Sequence, residues 1–108
     1  MRQAYAHDAV LTSAADDRAP GAAITVALCG HWEHDPPCPI APHHTAATRD
    51  GDELRLRILF ATEPDRVDEV RSRIDAALAA GDWRLVSAGC ARIERDEREH
   101  ARRLLKSG

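Results

Sequence analysis

The stretch Asp50-Gly51-Asp52-Glu53-Leu54-Arg55-Leu56-Arg57-Ile58-Leu59-Phe60-Ala61 decides how the rest of the chain must be arranged. Asp-Gly between two extended segments is a strong hairpin cue, because tight hairpin turns demand positive φ and glycine adopts it without a side-chain clash. Beyond the turn, Leu54, Leu56, Ile58 and Phe60 share one side of a strand, while Arg55 and Arg57 take the other. One sheet face is therefore core and the opposite face at least partly wet. The preceding arm is the weaker strand His44–Thr48, which runs into the turn at Arg49.

Downstream, Thr62-Glu63-Pro64-Asp65 predicts a helix start. Thr62 is the expected cap, Asp65 completes an acidic capping pattern, and Pro64 is tolerated in the first turn. Val67, Val70, Ile74, Ala77 and Leu78 recur at helical spacing and form the stripe to be buried. Glu69 and Arg73 stand four apart in the favourable order, and Gly81 suits the position just past the helix end. Residues 82–93 then predict another strand, with Gly89 marking a bulge or a close backbone approach. Strand, helix, strand implies a right-handed crossover onto a parallel neighbour. Cys90 is expected in the core, or beside the histidine-rich loop if it lies near the sheet end. From Glu94 to Lys106 the chain is densely charged, with Ile93, Ala101, Leu104 and Leu105 as a thin apolar stripe. This predicts a surface helix docked on the sheet or on a partner, with His100 exposed.

Upstream, Ile24, Val26 and Leu28 alternate with Thr25, Ala27 and Cys29, which predicts a strand over residues 22–29. Residues 1–21 carry few large apolar side chains and are expected to be a flexible lead-in, with at most a short helix over 4–11 and His7 in solvent. The expected domain plan is a flexible segment over 1–21 and a single α+β domain over 22–108. Its fold class is α+β, a mostly antiparallel sheet with two helices on one face in the order β-β-β-α-β-α. That arrangement resembles ferredoxin-like sandwiches. The likeness is architectural and carries no function.

The composition narrows the classes of function. A formal charge of −3 lacks the basic surface that phosphate backbones require, so nucleic acid is not an expected partner. No run is long and apolar enough to span a bilayer, so no membrane role is expected. Three cysteines, an odd number, without a charged-then-apolar opening favour a reducing cytoplasm over a secreted disulfide framework. Phe60, Tyr5, Trp32 and Trp83 are the only aromatic residues. The core is light, and a homodimer covering the open sheet face is a natural complement.

Chemistry concentrates in residues 29–44, Cys-Gly-His-Trp-Glu-His-Asp-Pro-Pro-Cys-Pro-Ile-Ala-Pro-His-His, which hold four of the six histidines and two of the three cysteines. Neutral imidazole and thiolate are the side chains that bind zinc and related borderline metals. Pro36, Pro37, Pro39 and Pro42 restrict the loop, so ordering it around an ion costs less entropy. The expected ligands are His31, His34, Cys38 and one or both of His43 and His44, with zinc as the cofactor in a structural or sensing role. The spacing matches no established zinc signature.

Two other readings use the same residues. In one, the loop histidines act as general acid and base, Glu33 or Asp35 orients an imidazole, and Arg55 or Arg57 holds a small anionic ligand. In the other, the loop is only a rigid connection anchored by Trp32 and Ile40 with its histidines unoccupied; separately, the thin C-terminal helix and the open sheet face would serve assembly if the chain is a homo-oligomeric interaction subunit without metal. Glycine-rich phosphate loops, the G-x-S-x-G elbow and the H-E-x-x-H helix are all absent from the sequence. His31-Trp32-Glu33-His34 places its histidines three apart among prolines, which no zincin helix does.

Overall fold

The Asp-Gly hairpin forms as its sequence demands. Asp50 pairs with Glu53, leaving Gly51 and Asp52 as the turn, and Gly51 takes φ 62°. In this computed structural model, which describes residues 1–29 and 41–106, the hairpin joins β2 (His43–Asp50) to β3 (Glu53–Thr62). The remaining elements are β1 (Gln3–Thr12), α1 (Ala19–Cys29), α2 (Val67–Ala79), β4 (Arg84–Ala91) and α3 (Arg98–Lys106). Short 3₁₀ turns, Pro64–Arg66 and Arg95–Glu97, lead into α2 and α3. The sheet is antiparallel throughout, in the order β2-β3-β1-β4.

The element order is β-α-β-β-α-β-α, which corrects the expected β-β-β-α-β-α at two places. Residues 3–12, expected in the flexible lead-in, form a central strand paired on both sides. Its buried residues Ala6 and Ala9 are small, so the segment shows a weak hydrophobic period, yet the neighbouring elements bury both. Residues 22–29, expected as a strand, lie in α1. Ile24 and Leu28 satisfy period two and a four-residue helical step equally, and both are buried, whereas Val26 is left 47% exposed. Alanine at 19, 22, 23 and 27 favours the helix. The crossovers also differ from expectation, because β1 lies between β3 and β4 and β3 lies between β1 and β2.

One face of the sheet packs Leu54, Leu56, Ile58 and Phe60 against Ile24 and Leu28 of α1 and Val70, Ile74 and Leu78 of α2. The stripe read from α2 is thus the buried one. No side-chain hydrogen bond caps the turn into α2, and Thr62 ends β3 instead of opening the helix. On the opposite face, Leu104 of α3 packs on Ala6, Leu59 and Ala61. The helices therefore occupy both faces, not one. The physical reason is that β3 after Ile58 is apolar on both sides, so its far end needs a cover of its own.

Trp83 closes the α2–β4 connection, its indole N–H donating to the Leu78 carbonyl at 2.6 Å. A Cβ at Gly81 would stand 2.0 Å from that indole ring, so the second residue beyond α2 is glycine for space. In β4 the register slips at Val86, making it the bulged residue. Gly89 is neither a bulge nor a close approach, since a Cβ there would meet nothing within 4 Å. Cys90 is exposed, not buried, because it sits on the edge strand in the run of residues 86–90, all of which are exposed. Among the described residues, no helix is long and apolar enough to cross a membrane.

Candidate functional site

Strand alternation separates the two adjacent histidines of β2. His43 shares a face with its β3 partner Phe60, on the side of α1 and α2. Its Nδ1–H donates to the Ala41 carbonyl at 3.1 Å and its Nε2 is hydrogen-bonded with the Thr25 hydroxyl at 3.1 Å. His44 points to the opposite face, beside Leu59. There its ring meets His100 of α3, with centroids 4.3 Å apart and planes tilted by 47°. His43 and His44 are thus not brought together. His31, His34 and Cys38 lie outside the described residues, as do Glu33 and Asp35.

His100, expected in solvent, is half-buried next to His44. Glu97, His100, Ala101 and Leu104 recur at helical spacing, so the face that buries Ala101 and Leu104 also turns His100 inward. That spacing was the one available signal, and nothing in it pointed to His44. Partial burial, and secondarily the neighbouring His100, push the His44 imidazole below its ordinary 6.5. At neutral pH it is uncharged, the form that offers a ring lone pair. Among the described residues, no group of three or more His, Cys, Asp or Glu side chains is placed to hold a metal ion.

Beyond the histidine pair, the open sheet face forms a hollow of about 410 Å³ lined by Asp8, Val10, Ala46, Thr48, Arg55 and Arg57. Arg57 crosses it and is fully engaged. Its Nη1 donates to Asp8 at 2.9 Å, its Nε and Nη2 donate to Glu97 at 3.0 and 2.7 Å, and Nη2 also donates to the Arg92 carbonyl. The bonds to Arg57 hold the Glu97 carboxyl below its ordinary 4.5, while Glu97 and Asp8 hold the guanidinium well above its usual range. Arg55 is freer: its side chain is 60% exposed, with Glu53 at 3.4 Å and Asp50 at 3.8 Å.

A second polar cluster lies under α2. His7 is 1% exposed, with Nε2–H donating to Asp75 at 2.7 Å and Nδ1 accepting from Arg71 at 3.0 Å. Arg71 also donates to the Ala6 carbonyl at 2.8 Å and lies over the Phe60 ring. The expected solvated tail histidine is in fact a buried brace between β1 and α2. Both ring nitrogens are satisfied, which is what burial of an imidazole requires.

Comparison with protein-family models, with curated proteins and with solved structures finds no match to this chain.

Proposed function

We propose that the chain is a small transition-metal-binding module whose centre is built on His44 and His100. The observation that carries this is the approach of two imidazoles, one from β2 and one from α3, on the same sheet face. The uncharged state of His44 at neutral pH supports it. Residues 29–42, which lead directly into β2, carry further candidates in His31, His34 and Cys38. Zinc suits an imidazole and thiolate donor set. The strand order and the two skipped crossovers support assigning the scaffold to the ferredoxin-like sandwiches, with α3 as an addition.

Elemental analysis of protein purified without a histidine tag tests the reading. Native protein should carry near-stoichiometric zinc, and His44→Ala and His100→Ala should each lose most of it. Metal content unchanged in both variants would remove the pair from the site, and metal-free native protein that ignores added zinc would end the proposal.

The hollow favours a second reading, a small anionic ligand held by Arg55 with the adjacent histidines as acid and base. Arg57 is committed to Asp8 and Glu97, which leaves Arg55 as the available cation. A panel of phosphoester and ester substrates should then be turned over by native protein and not by Arg55→Ala. Identical background rates would exclude it.

A further inference from the structure

We infer that the ion of the proposed centre latches α3 to the sheet, so that metal occupancy sets how firmly this helix is docked. The inference rests on the metal reading above and adds how that site would regulate the protein's surface. His44 belongs to β2 and His100 to α3, and their rings meet across the contact between the two elements, with centroids 4.3 Å apart. An ion held by both imidazoles ties the helix to the strand. With α3 away from the sheet, one of the two imidazoles is lost to it. The ion therefore binds the docked state more tightly and must shift the chain towards it.

α3 is suited to such a latch because its own attachment is slight. It has nine residues, fewer than an isolated helix needs to persist in water, so helix and docking form together. Its buried residues are Ala101 and Leu104, with Leu104 packed on Ala6, Leu59 and Ala61, and the Glu97–Arg57 pair adds a tie at its entrance. α2, by contrast, has thirteen residues and buries Val70, Ile74 and Leu78. An element with few buried apolar contacts opens locally before the rest of the fold does. Opening of α3 uncovers Ala6, Leu59 and Ala61, all buried in the docked state. The ion-free chain thus presents an apolar patch that the loaded chain hides, which makes the role of the centre sensing and not only structural.

Amide hydrogen exchange of the full chain, in chelator and in saturating zinc, tests the latch. In chelator the amides of α3 should exchange well ahead of those of β3 and α2, and zinc should slow them by roughly tenfold or more in native protein but not in His44→Ala. Coupling is reciprocal, so loosening the helix must weaken the ion. Arg102 lies on the exposed side of α3, and Arg102→Gly should lower zinc affinity about fivefold relative to Arg102→Ala, the cost of glycine in a helix. Affinity is read by competition with a chelating dye, and native exchange of β3 and α2 in both variants shows that the fold is intact. Zinc bound by native protein with α3 exchange unchanged, or equal affinity in the two Arg102 variants, would overturn the latch and leave the metal reading standing. Native protein that takes up no zinc would overturn both.

Discussion

His7 shows how far one side chain can depart from its local surroundings. Its neighbours in sequence are alanine, aspartate and tyrosine, yet the strand places its ring under α2 between Asp75 and Arg71. Replacing it by alanine removes packing and leaves two polar partners without the ring between them. His7→Ala should cost roughly 2–4 kcal/mol, read by urea denaturation; a loss within error of zero would mean that the brace is idle. Gly81 is the converse case, where absence of a side chain is the function. With the Trp83 indole seated against it, Gly81→Ala must displace the ring or the turn, at about 1–3 kcal/mol. Tryptophan fluorescence should shift with the loss. An unchanged spectrum and unchanged stability would show that the indole is not held there.

At the scale of elements, α3 is the piece whose attachment is most exposed to conditions. It buries a thin stripe, Ala101 and Leu104, and adds the Glu97–Arg57 pair at its entrance. The folded-state pKa of Glu97 lies below its ordinary 4.5, so the unfolded chain binds more protons in that range. Its contribution is fully present above about pH 4.5 and is lost as pH falls through the folded value. Native protein should therefore lose stability faster than Glu97→Gln between neutrality and acid, and the two denaturation midpoints should converge at low pH. Parallel curves would show that the pair contributes nothing. The α2 stripe was legible because Val67, Val70, Ile74, Ala77 and Leu78 together repeat only as a helix does. The segment over residues 22–29 was not, because Ile24 and Leu28 fit either period and the deciding factor was which side of the sheet remained uncovered.

For the whole molecule, the metal reading makes a thermodynamic demand. An ion that binds the folded chain alone must raise stability by mass action, about 2.7 kcal/mol at a free concentration a hundredfold above Kd. Zinc should raise the thermal midpoint of native protein and leave that of His44→Ala,His100→Ala nearly unchanged. Equal shifts in both would locate the ion elsewhere.

Sequence alone determined the hairpin at Gly51, the two-faced character of β3, the buried stripe of α2 and the charged helix at the end. Each is a local pattern in which neighbours along the chain dictate conformation. Tertiary structure decided the rest: that Ala6, His7 and Ala9 lie in a central strand, that Cys90 lies on an exposed edge, and that His44 meets His100 and is parted from His43. Those outcomes depend on which surfaces remain to be covered once the local elements exist. Side chains distant in sequence carry no periodic sign of their eventual neighbours, because contact between elements is set by packing and not by spacing.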